Sequence, residues 1–244
     1  MHPNLKNCAK MSEIKQSTRI QTSILNAQEK KLLVWLGNHM PQWVSSDTMT
    51  FIGFIGAFMC GLGFALTWFG IYWLWLSVAG LAVHWFGDSL DGTIARVRNQ
   101  QRPLYGYYID HNMDTITEAM MFIGAGISPL MHMSISMAIY AVYLALTVYV
   151  SINAHIKSEF KLTYGKLGPT EFRIIIALAN IAVMYVPFLT TYHLPVTFGE
   201  QTHILTTLDI TGIIILVILT IMYLVSFFKD ARWFAEKDPL PNKK

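Results

Sequence analysis

Cysteine is nearly absent from this 244-residue sequence: Cys8 and Cys60 lie far apart, in different settings. Two such thiols make neither a disulfide framework nor a metal knuckle. Charge is scarce as well. Charged residues make up 14% of the chain, against about 25% in an ordinary soluble domain. The net charge of +3 gives nucleic-acid binding no compositional support. The region Met1 to Thr22 holds no apolar run of the kind a cleavable signal peptide needs, and we read residues 1–22 as a flexible cytoplasmic tail. No internal repeat, inverted or parallel, and no low-complexity tract occurs.

Apolar residues fill the space that charge leaves. They account for 53% of the chain, and mean hydropathy is +0.40. They also run together in long stretches, which points to a polytopic membrane protein rather than a large soluble core. Six stretches reach the ~20 residues needed to cross a ~30 Å hydrocarbon layer: Thr48–Phe69, Ile71–Ala95, Tyr108–Met131, Met133–His155, Glu171–Tyr192 and Ile204–Phe228. Ser46 or Asp47 is the expected N-cap of the first. Ahead of it, Ile24 to Met40 is amphipathic, with Leu25, Leu32, Leu33, Leu36 and Met40 able to share one face. That pattern suits a helix lying in the membrane interface, and a helix packed on the end of the bundle would read the same. The expected fold is an all-α integral membrane domain of six transmembrane helices over residues 23–229, preceded by this interfacial helix. A short cytoplasmic tail follows over 230–244.

Lysine and arginine fix the expected orientation. All 18 fall in the N-terminal region, the Arg96–Arg102 loop, the Lys157–Arg173 segment or the tail from Lys229. The connections near Phe69–Trp73, Ser128–Ser134 and Tyr192–Thr202 hold none. By the positive-inside bias, both termini and both basic connections face the cytoplasm. Trp68, Tyr72, Trp73 and Trp75 then form an aromatic belt at the opposite interface.

Four aspartates break the apolar pattern. Asp88 and Asp91 are three residues apart, Asp110 and Asp114 four apart. On helices each pair shares a face, and the polar turn containing Pro103 would return the second helix antiparallel to the first. Four carboxylates converging in low dielectric repel one another strongly unless they bind protons or divalent cations. Hard oxygen ligands favour magnesium, manganese or calcium over zinc. Gly92 and Ala95 each lie one turn after an aspartate, and Gly106 one turn before another, leaving backbone open to a flat or phosphorylated ligand. Arg96 follows directly and could neutralise a phosphate. Metals, a phosphate-sized cleft and a location at lipid level together suggest phosphoryl transfer on a lipid substrate. A single intramembrane aspartate is as readily a helix–helix hydrogen bond; four, with small residues at matched spacing, point to a site.

Asp88, Asp91, Gly92, Ala95, Arg96, Gly106, Asp110 and Asp114 fill the pattern D-x-x-D-G-x-x-A-R…G-x-x-x-D-x-x-x-D. In this the chain resembles the CDP-alcohol phosphotransferases. The resemblance implies an integral membrane enzyme, usually homodimeric, that transfers a substituted phosphate from a CDP-linked donor to an alcohol and releases CMP. It implies two divalent ions, Mg2+ or Mn2+, held by Asp88, Asp91, Asp110 and Asp114. Gly92, Ala95, Arg96 and Gly106 would admit the nucleotide, and Asp114 would be the general base, with Asp110 beside it. The preferred donor on this reading is CDP-diacylglycerol, with a small polar alcohol or phosphorylated alcohol as acceptor. The alternative is CDP-choline or CDP-ethanolamine acting on a lipid alcohol.

Weaker candidates concern the acceptor. Arg173, Lys157 and Lys166 could bind an acceptor phosphate, although basic residues there also set topology and meet lipid headgroups. Thr170 and Glu171 after Pro169 read as a helix N-terminus, and a Thr-Glu pair at this place resembles the choline and ethanolamine phosphotransferases, which weakens a phosphate-acceptor assignment. Glu118, one turn past Asp114, would extend the site towards the acceptor or simply bond within the bundle. His84, His111 and Asn112 are expected beside the site rather than as ligands. Gly53, Ala57, Gly61 and Gly63 could tighten helix packing or a dimer contact. A divalent-cation transporter is the remote competing reading, disfavoured by acids confined to one end of two consecutive spans and by the missing repeat.

Overall fold

The computed structural model describes residues 18–20, 25–157, 159–161, 169–198 and 201–240. Lys166 and Cys8 fall outside them. The described residues are mostly helical. The helices are α1 (Asn26–His39), α2 (Ser46–Ala65), α3 (Leu74–Val97), α4 (Pro103–Ile127), α5 (Met133–Lys157), α6 (Pro169–Tyr185), α7 (Pro187–Thr191) and α8 (Thr207–Lys237). Two single 3-10 turns, Leu66–Phe69 and Ile71–Trp73, join α2 to α3 around Gly70.

The six long helices coincide with the six apolar stretches, but three of them are apolar and long enough to cross a bilayer on length and composition. These are Ser46–Phe69, Met133–Lys157 and Thr207–Lys237, with mean hydropathies of 2.0, 1.9 and 2.6. The other three fall short for visible reasons. Helices α3 and α4 run 24 and 25 residues but carry the aspartates, and α6 stops after 17 residues at the break before Pro187. Proline has no amide hydrogen and a fixed φ, so it starts the short α7 rather than continuing α6.

Local chemistry sets the helix ends. The N-cap of α2 is Ser45, one residue ahead of the expected pair: its hydroxyl accepts from Thr48 N at 3.1 Å, and Thr48 Oγ1 accepts from Ser45 N. Thr206 and Asp209 form the same reciprocal box on α8, as capping chemistry favours. Asp209 also ties down the α4–α5 turn, accepting from His132 N at 2.7 Å. Asn99, with φ of 55°, ends the α3 segment in a left-handed turn. Arg98 then donates to the carbonyls of Met40 and Pro41 at 3.0 and 2.9 Å, closing the α1–α2 loop against α3.

Helices α2 and α3 form the tightest contact of the bundle. Gly53, Gly56 and Gly63 of α2 face Gly80, Gly87 and the His84 and Ser77 backbone of α3. A Cβ at Gly56 would lie 2.7 Å from His84 Cα and 2.8 Å from the Gly80 carbonyl oxygen. Small residues let the backbones approach to that distance. Gly61 meets α4 in the same way, at Met120 and Gly124. One apolar cluster (Cys60, Phe64, Leu74, Leu81, Val183, Met184) joins α2, α3 and α6. A second (Leu33, Val44, Met49, Leu90, Ile94) joins α1, α2 and α3 at the other end.

Helix α1 therefore packs on the end of α3. Leu33 and Gly37 are buried there, with Gly37 facing Thr93, Ile94 and Val97. Leu32 lies outside that face and is exposed, together with Trp35 and Trp43. The N-terminal strand β1 (Thr18–Ile20) pairs in parallel with β2 (Glu159–Lys161) after α5. An antiparallel hairpin, β3 (His193–Phe198) with β4 (Gln201–Thr206), precedes α8 at the opposite end. Helices α5 and α8 pack on each other and leave most of their apolar surface exposed.

A candidate metal centre at the polar end of the bundle

The site forms where the α2–α3 seam opens. Gly87 is packed against Gly53, and one residue further on Asp88 leaves the seam towards α4 and α6. On α4, Asp110 and Asp114 share one face. An oxygen of each of Asp88, Asp110 and Asp114 lies within 4.8 Å of the other two. Asp88 and Asp114 are partly buried, while the Asp110 side chain stays exposed at the rim. The surrounding cleft is lined by Thr50, Gly53, Phe54 and His84, by all four aspartates, and by Met113 and Thr117.

Asp91 lines the cleft but belongs to a different pairing. Its Oδ2 accepts from Thr50 Oγ1 of α2 at 2.9 Å, and its other oxygen accepts from the Gly92 backbone. Ser46 Oγ donates to the Asp91 carbonyl at 2.9 Å. The start of α2 thus holds Asp91 in place beside the other three acids. Thr50 gave no sequence signal, being one more hydroxyl in an apolar run.

The nucleotide candidates differ among themselves. A Cβ added at Gly106 would meet nothing within 4 Å, whereas one at Gly92 would lie 3.4 Å from the Arg96 guanidinium. Arg96 Nη2 donates to Thr93 Oγ1 at 2.9 Å, which folds it back along α3 beside Gly92. Ala95 is half-buried on the same helix.

The acceptor candidates separate more sharply. Arg173 Nη2 donates to Asp88 Oδ2 at 2.6 Å and lies 3.3 Å from His84 Nε2. Lys157 instead pairs with Asp230 of α8 at 2.8 Å and sits 4.9 Å from the Trp233 ring centroid. Burial raises the Asp230 carboxyl, but hydrogen bonds from Lys157 and Tyr149 outweigh it and hold the group below its ordinary value. Glu118 has one buried oxygen with no hydrogen-bond partner, and Tyr143 of α5 lies beside its carboxylate. Tyr143 is a contributor that the sequence reading missed, for the same reason as Thr50. Glu171 is buried and accepts from Leu25 N at 2.9 Å, while Thr170 donates to Glu29 at 2.7 Å. The Thr-Glu pair thus fastens α1 to α6.

Three carboxylates within reach of one point form an all-oxygen donor set, which suits a hard divalent cation. The orphaned Glu118 oxygen lies one turn along α4 from Asp114. The residues present fit such an ion.

Comparison with known proteins agrees. Residues 39–235 match the family model described as CDP-alcohol phosphatidyltransferase. Over 170 residues, 66% of this chain, the sequence is 24% identical to cholinephosphotransferase 1 of Mus musculus. The chain spans 42% of that protein's length. With the signature aspartates gathered in one cleft and the family match covering most of the sequence, the chain belongs to the CDP-alcohol phosphatidyltransferase family.

Proposed function

We propose that this protein is a membrane-embedded transferase that moves a substituted phosphate from a CDP-linked donor to an alcohol and releases CMP. The observation that carries the reading is the convergence of Asp88, Asp110 and Asp114 within 4.8 Å, one helical turn from the exposed Gly106. Asp88, Asp110 and Asp114, with Asp91 steadied by Thr50, are the residues that would hold divalent ions, magnesium or manganese. Such ions neutralise the pyrophosphate and lower the barrier to departure of CMP.

The chain's own groups divide the remaining work. Gly92, Ala95 and Gly106 leave room for the cytidine and pyrophosphate, and Arg96 supplies positive charge next to Gly92. Asp114 lies deeper than Asp110, whose side chain is exposed, and is the better placed carboxylate to take the acceptor hydroxyl's proton. The alcohol oxygen then bonds to the phosphorus distal to cytidine, and the bond from that phosphorus to the bridging oxygen breaks. CMP leaves with the bridging oxygen.

A lipid alcohol as acceptor, with CDP-choline or CDP-ethanolamine as donor, is the reading we favour. The similarity to a cholinephosphotransferase supports it. So does the pairing of Lys157 with Asp230 and of Arg173 with Asp88, because an acceptor phosphate would have to compete for both cations. Transfer of a phosphatidyl group from CDP-diacylglycerol to a polar acceptor is the second reading, supported by the family's own description.

Six spans over residues 23–229, both termini and the carboxylate cleft on the cytoplasmic side, and a homodimer complete the proposal. The lysine and arginine distribution supports the sidedness. The exposed Leu32 and Trp35 of α1, with the exposed Trp43 just after it, support its contact with the interface.

Purified protein in detergent tests the reading directly. Labelled CDP-choline or CDP-ethanolamine with diacylglycerol, and CDP-diacylglycerol with glycerol phosphate, inositol phosphate, serine or inositol, are each assayed for CMP release with Mg2+ or Mn2+. Chelator-sensitive product from the first group is expected. Product only from the second would select the phosphatidyl-transfer reading, and no CMP from any pair would overturn both.

A further inference from the structure

Arg173 was expected to face an acceptor phosphate, yet its guanidinium is lodged against α3. Nη2 donates to Asp88 Oδ2 at 2.6 Å and lies 3.3 Å from His84 Nε2. Asp88 and His84 are four residues apart on α3, so both acceptors lie on one face, one turn from each other. His84 Nδ1 lies 3.1 Å from the Gly53 carbonyl, which can only accept. Both contacts are satisfied together when Nδ1 carries the proton and Nε2 accepts from Arg173. The imidazole is thus anchored in the α2–α3 seam, and it fixes the guanidinium as the guanidinium fixes Asp88.

A carboxylate has two oxygens. The contact of Oδ2 with Arg173 sets the rotation of the Asp88 carboxylate, an oxygen of which lies within 4.8 Å of oxygens of Asp110 and Asp114. Carboxylates that ligate metals are commonly oriented by a hydrogen-bonding partner of this kind, whose loss costs roughly 10–100-fold in metal affinity or activity. The charge also suits the place. A fixed guanidinium offsets part of the negative charge that clustered carboxylates bring together.

We propose that Arg173, held by His84, is a positioning residue for Asp88 in the metal centre, rather than a clamp on an acceptor phosphate. The role rests on the metal-dependent transferase reading above, but its test does not need turnover. Mn2+ binding to donor-free protein in detergent is measured by electron paramagnetic resonance or calorimetry, for wild type, Arg173→Gln and Arg173→Lys. Gel-filtration elution of each variant is checked first.

Arg173→Gln is expected to weaken Mn2+ binding about 10-fold or more, with Arg173→Lys in between because it keeps the charge but loses the planar donor that serves two acceptors. In transfer assays, raising Mn2+ should restore kcat of the Gln variant, while the acceptor KM stays near wild type. If the Gln variant aggregates, the Lys variant carries the test, with weaker Mn2+ binding at unchanged acceptor KM as the expected result. Unchanged Mn2+ affinity in the folded variants would overturn the proposal, whether the acceptor KM rises alone or not. Tighter Mn2+ binding would overturn it too, by showing that Arg173 competes with the ion. If wild type turns over no CDP donor yet the Mn2+ series holds, the positioning role stands and the transferase reading fails.

Discussion

Glycine does opposite things in two regions of this protein separated by a few helical turns. In the α2–α3 seam, Gly56 and Gly80 are pressed against the facing backbone so closely that a Cβ at either would overlap it. One helical turn before Asp110, Gly106 faces open space. The seam's glycines serve the fold and are used up by it. Gly106 packs against nothing within 4 Å in the protein itself, and on the proposed reading the space beside it is kept for the nucleotide. Family signatures and packing motifs look alike in sequence, and only the neighbours tell them apart.

The sharpest way to break the comparison is to add bulk on each side. Gly56→Val should forfeit about 3 kcal/mol or more, since backbone on both helices would have to move. Loss of a monodisperse peak in detergent checks it, and a well-folded variant would show the seam to be looser than described. Gly106→Val should leave the elution profile and the melting temperature unchanged. Its expected cost is in function: a rise of ~10-fold or more in the apparent KM for the CDP donor, measured by CMP release across donor concentrations. A variant with normal donor KM would remove Gly106 from the nucleotide's path.

A smaller effect separates Asp91 from the other acids. Thr50→Val deletes the 2.9 Å hydrogen bond to Asp91 Oδ2 while keeping the shape of the side chain. A bond of this kind contributes about 1 kcal/mol, so kcat should fall roughly five-fold, with folding intact. An unchanged kcat would mean that Asp91 is held by the helix backbone alone.

The smallest effect lies at the far flank, where Lys157 meets Asp230. The Asp230 carboxyl titrates below its ordinary value, so its contribution is present above the unfolded carboxylate pKa of about 3.9. It is lost as pH falls through the lower folded value. Asp230→Asn should therefore lower the melting temperature slightly at neutral pH and approach wild type in acid. The pair is partly exposed, which limits it to about 1 kcal/mol. Transfer activity should not change. A large activity loss in Lys157→Ala would instead place that lysine in the acceptor site.

Much of this was legible in the sequence because it rests on short-range rules. The helical periodicity of Asp88, Asp91, Asp110 and Asp114, the turn at Pro103 and the long apolar runs fix where helices form and which faces carry acid. The family resemblance follows from the same residues. What was not legible depends on pairs distant in sequence. Thr50 with Asp91, Tyr143 with Glu118, and Lys157 with Asp230 join helices through hydroxyls and charges that look unremarkable alone. Arg173 was singled out for its place inside a helix start, but the group it would meet, Asp88, lies 85 residues away. The apolar runs also differ among themselves for a physical reason. A stretch such as Leu74–Val97 is long enough to cross a bilayer, but its aspartates make it less apolar than α2, α5 and α8.

The most direct test of the central claim is CMP release by purified protein with a CDP-alcohol donor and Mg2+, wild type against Asp114→Asn. Wild type should release CMP in a chelator-sensitive way, and Asp114→Asn should lose about 10³-fold or more of that rate, the upper range for removing a general base, while eluting as wild type does. CMP release that survives in Asp114→Asn, or that ignores chelation, would contradict a metal-dependent transferase built on these aspartates.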